Sequence, residues 1–399
     1  MGTAELEGVR IIALTQAAAG PIMGGMLADL GAEVIKIESN RKLDEGRTVP
    51  IYADGIPGPN RSLFNILNRG VKSCTIDLSQ PRGSEILKGL VKLSGVVISN
   101  YSPRVLENLG MDYESLRAIR PDAILVSITG YGHGGPERDY LAYAMDADAI
   151  GGIAASFGYP GGDPALGLTY TGDVVAGWYG VVGAISALCY RNRTGKGQMV
   201  DVALTEGTAT LTPEITMEYV MTGRLRPTMG NRDEVMAPHG CYPCRGEDKW
   251  VAIAVGTDEE WEALCGVMGN PEWSRDERYR DQYSRWQNQE ELDRLTGEWT
   301  KDLDQYEVMH KLQAVGVAAG ASLSIDELVV DPHIRARRSI IEQEHPEVGK
   351  TGVIRSPWAA AGPQAAAPLL GEHNDYVFKE LLVMSDEEVA RLVADRVIY

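Results

Sequence analysis

The chain has 399 residues, enough for two domains or one large discontinuous one and for a sizeable core without disulfide or metal staples. Lys and Arg number 38 against 56 Asp and Glu, a formal net charge of -18; this excludes non-specific nucleic-acid binding and leaves room only for a local basic pocket that takes a phosphorylated small molecule. The opening MGTAELEGVRIIAL has no basic region ahead of a long apolar core, no uninterrupted apolar run reaches bilayer length, and five scattered cysteines suit a reducing compartment. The expectation is a cytoplasmic protein with no membrane or nucleic-acid partner.

In chain order, Val9 to Thr15 reads as a strand, AAAGP and MGGMLADL as the start and body of a helix, and Ala32 to Ile37 as a second strand ending at Glu38. Strand, helix and strand in about forty residues make a βαβ unit. Its glycines, Gly20, Gly24 and Gly25, form neither GxGxxG nor GxxxxGK[ST], so nucleotide-binding fingerprints are absent. After the turn-rich stretch 41–59 come a strand at Ser73 to Leu78, a helix at Pro81 to Leu93, a strand at Gly95 to Ser99, a helix through Leu116 and a strand at Ala123 to Ile128. This alternation predicts a mainly parallel sheet covered by helices on both faces.

An apolar helix follows at Val174 to Leu188, then a strand at Gly197 to Leu204 and a connecting helix at Thr210 to Gly223. The breaker-rich run GRLRPTMGNRDEVMAPHGCYPC reads as a domain boundary and active-site loop. Beyond it come a strand at Lys249 to Val255, a helix at Asp258 to Met268, a charged helical stretch at Arg275 to Leu295 and a helix at Tyr306 to Ala314. A strand at Gly352 to Arg355, an Ala/Pro-rich strap at 358–373 and a terminal helix at Asp386 to Val397 close the chain. The predicted organisation is a large α/β domain at 1–225, a smaller α+β domain at 226–326, and a segment at 327–399 that returns to complete the large one.

The stretch 168–206 is the centre of the functional reading. Asp173 stands between Gly172 and a run containing Gly177, Gly180 and Gly183. An acid there caps the first turn of a helix, or serves as a buried network acid, a general base or a nucleophile flanked by N–H groups that stabilise an oxyanion. His133, in the turn Gly130 to Pro136, is either a substrate contact or a surface residue. Arg69, Lys72 and Arg104, read as following successive strands, would gather at one sheet edge as phosphate ligands or stay as solvated surface. Cys241 and Cys244 have CxxC spacing with His239 nearby, short of the four ligands of a structural zinc, so no metal is expected. Tyr131, Tyr140, Tyr143, Tyr159 and Trp178 line an acyl pocket or pack in the core.

The segments AAAGPIMGGMLADLGAEVIKIE, LNRGVKSCTIDL, VVISNYSPRVLENLGMDYESL, ILVSITGYGHGGP, YTGDVVAGWYGVVGAISAL, GKGQMVDVAL and PLLGEHNDYV together resemble the class III CoA-transferase (CaiB/BaiF) family over nearly the whole chain. The resemblance implies a Rossmann-like large domain with an inserted small one, two chains interlocked as a dimer, and transfer of coenzyme A from an acyl-CoA to a carboxylic acid. It implies no tightly bound cofactor, the CoA thioester being substrate. The family's catalytic acid falls on Asp173, which would pass through aspartyl anhydride and aspartyl-CoA intermediates. CoA contacts are expected from Arg69, Lys72, Asn100, Arg104, Tyr131 and Gly132, and an acyl pocket from His133, Gly134 and Tyr143.

Three departures qualify the resemblance. Where relatives carry asparagine-aromatic-arginine-proline-glycine, this chain has Asn100–Tyr101–Ser102–Pro103–Arg104, and Ala18 replaces a frequent glutamine before the first AGP. Tyr143 stands where the related 2-methylacyl-CoA racemases place a histidine, which favours transfer over racemisation. A homodimer is expected, with a non-catalytic or heteromeric subunit as the alternative.

Overall fold

The computed structural model describes residues 4–49, 58–59, 63–163, 170–358 and 365–399. The middle of the turn-rich stretch 41–59, residues 168–169 of the central stretch and residues 359–364 of the expected strap lie outside them. The chain divides into two compact units. One comprises Met1–Ala155, Leu166–Leu225 and Arg337–Tyr399; the other comprises Ser156–Ala165 and Arg226–Ala336.

The first unit is built on six strands: β1 Arg10–Leu14, β2 Glu33–Glu38, β3 Lys72–Thr75, β4 Val96–Ser99, β5 Ile124–Thr129 and β6 Met199–Ala203. Their order in space is β3-β2-β1-β4-β5-β6, and every neighbouring pair is parallel. A parallel sheet is covered on both faces, so its strands read as apolar runs, and alternate residues reach opposite layers. Ile124, Val126 and Ile128 of β5 pack with Met23, Leu27 and Val181 on one side. Leu125 packs with Ile86, Leu90 and Phe378 on the other. This is the Rossmann-like α/β architecture expected from the sequence, completed by the returning C-terminal residues and accompanied by a smaller antiparallel unit. The strand order switches between β1 and β4, the place where such sheets open a crevice at their carboxyl ends.

The helix Thr171–Thr194 is longer than the apolar run suggests, with 24 residues. By length and composition alone it is long and apolar enough to cross a membrane. Here Ala176, Val181, Ala184 and Leu188 of one face are buried in the core. Its glycines allow close packing on the helix Ala19–Asp29: a Cβ on Gly177 would stand 2.8 Å from Ile22 Cγ2, and one on Gly180 would stand 2.6 Å from Met23 Sδ.

The returning residues cover the β3 edge, which would otherwise expose unpaired backbone. The His373 N–H donates to Ser73 O, Asn374 Nδ2 donates to Thr75 Oγ1 at 2.8 Å, and Ile76 bridges Ile398. The terminal helix ends at Ala394, earlier than expected, because Val397 and Ile398 leave it to enter the core. An antiparallel hairpin, β10 Ile340–His345 and β11 Gly349–Ile354, stands where one strand was read; its first arm carries three charged or amide residues in six and lacks an apolar signature.

The second unit has an antiparallel sheet of β7 His239–Pro243, β8 Trp250–Ala254 and β9 Ala318–Ser322. The end of the supposed active-site loop is therefore strand β7. The charged stretch 275–295 is broken into 3-10 turns and two helices, Gln282–Gln287 and Gln289–Thr300, because Asp276 and Asp281 each cap a new turn. All five cysteines are free; Cys241 is exposed and Cys244 buried. Among the described residues no group of three or more His, Cys, Asp or Glu could hold a metal ion.

Candidate active site

A cavity of about 740 Å³ opens at the carboxyl edge of the parallel sheet. Residues following every strand reach it: Gln16 after β1, Ser39 after β2, Asp77 after β3, Asn100 after β4, Gly130 after β5 and Leu204 after β6. Asp173 enters it from the first turn of the central helix.

The loop after β1 is held tightly. Asn100 Oδ1 accepts the Gln16 N–H at 2.9 Å, and its Nδ2 donates to Gln16 O at 2.8 Å. Asp44 Oδ1 accepts the Ala17 N–H at 2.9 Å and the Gly46 N–H at 2.7 Å, while Asp44 Oδ2 pairs with buried Lys36 at 2.6 Å. Between these clamps Ala17 has φ +58°, a left-handed conformation that costs free energy in a residue with a Cβ. The stitched loop leads into the helix Ala19–Asp29, whose first N–H, that of Ala19, faces the Asp173 carboxylate and favours its charged form.

Asp173 is not the cap of its helix. The helix begins at Thr171, and Asp173 is the third residue of its first turn. The acid set behind its leading edge is Asp148, on the helix Ala144–Ile150; burial raises its pKa, and the Gly172 N–H and the Thr171 hydroxyl oppose the rise. Gly172 has no side chain because that helix lies against it: a Cβ there would meet Ala147 Cβ at 3.0 Å. Burial pushes the Asp173 carboxyl up to about 6; the Ala19 N–H opposes the rise and the Asp148 charge adds to it. A carboxylate of that basicity remains mostly ionised at neutral pH and is a better nucleophile than an ordinary aspartate.

Of the residues singled out from sequence, Asn100, Tyr140, Tyr143 and Asp173 line the cavity. Arg69 and Lys72 do not, for a topological reason. They precede or begin β3, so they sit at the amino edge of the sheet, opposite the cavity. Arg69 is buried in a two-pronged pair with Asp29, its Nη2 2.5 Å from Oδ2, and Ser356 Oγ donates to the same carboxylate at 2.6 Å. Lys72 Nζ lies 4.9 Å above the Tyr376 ring. Arg104 is exposed on the helix Pro103–Leu109, whose buried side is marked by Leu106.

The turn after β5 is divided. Tyr131 stacks edge-on with Tyr140, a cavity residue, at 5.8 Å. Gly132 has φ +81° and turns the chain over β6. His133 then folds back to the face opposite Asp173: its Nε2 is 2.8 Å from Ser127 Oγ and its N–H donates to Asp201. Ser127 points to the opposite side of β5 from the cavity residue Ile128, and burial lowers the His133 pKa. Gly134 is exposed, and a Cβ there would meet no atom within 4 Å. Of the five aromatics, Tyr140 and Tyr143 line the cavity, Trp178 is exposed on the central helix, and Tyr159 belongs to the second unit.

Sequence reasoning missed Gln16, Lys36, Asp44, Arg138 and Asp148. Lys36 left a signal, as the lone cation inside the apolar strand β2, where a charge is retained only with a buried partner. Asp148 left none.

The chain matches the description "CoA-transferase family III" over residues 6–374. It belongs to that family. Among its relatives, succinyl-CoA--D-citramalate CoA-transferase of Chloroflexus aurantiacus is 36% identical, covering 98% of each chain. The succinyl-CoA--L-malate CoA-transferase beta subunit of the same organism is 32% identical, over 99% of this chain and 98% of that one. Among solved structures, a CaiB/BaiF family protein from Brucella suis has 33% identity and a TM-score of 0.84, covering 94% of this chain and 99% of its own. This family III CoA-transferase is thus an enzyme that exchanges coenzyme A between an acyl-CoA and a carboxylic acid through covalent intermediates. The CoA thioester is its substrate, and the carboxyl edge of its sheet offers a cavity of the size that such a molecule needs.

Proposed function

We propose that this CoA-transferase uses Asp173 as its nucleophile and moves CoA from succinyl-CoA to a short, hydroxylated dicarboxylate. The observation that carries the first part is Asp173 itself, lining the cavity from the first turn of its helix, with its pKa raised by burial. Its oxygen bonds to the acyl carbon while the C–S bond breaks, the electron pair leaving on sulfur. The thiolate then attacks the aspartyl carbonyl and releases the donor acid; the incoming acid displaces CoA to form a new anhydride, and CoA returns to its acyl carbon. The positive dipole ends of the two helices suit the tetrahedral oxyanions.

The substrate class follows from relatives that act on citramalate and malate with succinyl-CoA. Lys42 and Arg138 bring positive charge to the lining, suited to CoA phosphates or a second carboxylate. No histidine is among the described lining residues, so Asp173 has no imidazole partner for α-proton exchange, which speaks against the racemase alternative.

We further propose a homodimer. The helix Pro213–Thr222 buries no residue, and Met217, Val220 and Met221 are exposed on it, as are Trp178 and Val182 on the central helix; such surfaces suit a second copy of the chain. A cytoplasmic location is proposed on the five free thiols, and the domain limits 1–225, 226–326 and 327–399 are proposed from the sequence, beside compact units that assign 156–165 and 327–336 to the smaller one.

The test is turnover of succinyl-CoA with malate, citramalate or a monocarboxylate, with hydroxylamine trapping and peptide mass spectrometry. A label on Asp173 and CoA transfer to the dicarboxylates are expected. An unlabelled Asp173 during full turnover sinks the nucleophile, and equal rates with monocarboxylates sink the substrate class. Native mass spectrometry of the chain alone checks the dimer.

A further inference from the structure

We propose that Asp148 is the positioning residue of the nucleophile: buried on a helix that packs directly against Gly172, it steadies the first turn that carries Asp173, and its charge behind that turn drives Asp173 toward acylated, uncharged states. The inference rests on Asp173 being the nucleophile and goes beyond it by naming what tunes it.

The geometry comes first. Asp148 is 1% exposed and does not line the cavity, so it cannot meet substrate. Its helix is locked in place by Thr208, whose hydroxyl donates to Ala147 O at 2.9 Å, and by the close approach of Ala147 to Gly172. One carboxylate oxygen, Oδ1, has no hydrogen-bond partner among the described residues. A buried acid in this state carries a desolvation cost that a neutral amide of the same shape would avoid. Capping alone does not call for an acid, since asparagine caps equally well; the charge is the feature that needs a role.

Charge bookkeeping supplies one. When Asp173 attacks the thioester, its carboxylate gains an acyl group and loses its negative charge, while the electron pair of the broken C–S bond leaves on CoA sulfur. A fixed anion nearby raises the energy of the free Asp173 carboxylate and not that of its neutral anhydride or thioester. Burial raises the Asp148 pKa while the Gly172 N–H and the Thr171 hydroxyl oppose the rise, and the Asp148 charge adds to the rise at Asp173.

The other acids on elements packed against the central helix are committed or remote. Asp29 is paired with Arg69, Asp146 accepts the Tyr143 N–H, Asp201 accepts the His133 N–H, and Glu206 is exposed. The helix's own Arg191 and Arg193 lie in its last turn.

The experiment compares wild type, D148N, D148A and T171V in full-length enzyme, reading the pH profile of kcat/KM and the trapped fraction of Asp173. D148N keeps an acceptor for the turn and removes the charge. Its acid limb is expected to move down by about 1 pH unit, with a smaller trapped fraction at steady state. T171V, which weakens support for the Asp148 anion, should shift the limb the same way. D148A, lacking the acceptor too, should lose kcat about tenfold beyond D148N. An unmoved acid limb in folded D148N and T171V, with wild-type Asp173 still trapped, overturns the proposal alone. No adduct on wild-type Asp173 overturns it together with the nucleophile reading.

Discussion

The backbone N–H of Ala19 faces the carboxylate of Asp173 and lowers its pKa, so the first residue of one helix acts on the first turn of another. Each helix presents the positive end of its dipole to the same acid. Burial still outweighs both and leaves Asp173 titrating at about 6.

That balance fixes a pH dependence with a definite sign. Below about pH 4 Asp173 is neutral in folded and unfolded chains alike, and its stabilising contribution is complete. As pH rises through 6 the folded protein must ionise a buried group, and stability is lost. D173N should therefore be more stable than wild type at pH 8, by on the order of 2 kcal/mol, and equal to it near pH 4. Thermal melts at the two pH values check this. The same variant should lose transfer activity by roughly a thousandfold or more, and wild-type kcat/KM should fall as pH drops below 6.

Asn100 is predicted to act through the loop it clamps. N100A removes both hydrogen bonds to Gln16 and frees Ala17 from its left-handed conformation. Stability should fall by about 1–3 kcal/mol, and kcat by roughly 10- to 100-fold as the Ala19 N–H loses its aim. A change in KM for the CoA thioester with kcat intact would instead mark Asn100 as a direct substrate contact.

Arg69 separates a structural cation from a phosphate ligand. R69A strands the fully buried Asp29 carboxylate, and loss of one partner of a buried pair costs about 3–5 kcal/mol. Kinetic constants per folded enzyme at low temperature should match wild type. A raised KM for the CoA thioester would return Arg69 to the substrate site.

Two glycines on the central helix should respond differently to alanine. In G177A the new Cβ presses on Ile22 and stands 3.2 Å from Ala19 O, displacing the helix that holds Asp173. In G180A the nearest atom is Met23 Sδ, on a flexible side chain. Both should lose about 1–3 kcal/mol of stability, and only G177A should also lose kcat, measured on folded protein.

Much of this molecule was legible in its residues. Apolar runs at strand length, separated by helix-length segments, determine a buried parallel sheet, because only strands covered on both faces can be apolar throughout. The run TGDVVAG, with its single acid among glycines, marked Asp173. Tertiary structure decided the rest. Arg69 and Lys72 read as phosphate ligands until the sheet placed the start of β3 at the edge away from the cavity. His133 read as a pocket residue until the alternation of β5 turned its partner Ser127 to the other face. Asp148 carried no local pattern, since its partners lie 23 and 24 residues further along the chain, at Thr171 and Gly172. Spacing along a sequence reports periodicity and local conformation, whereas the edge and face on which a side chain emerges depend on how distant segments pair, and that is where charge is buried and a carboxylate acquires its reactivity.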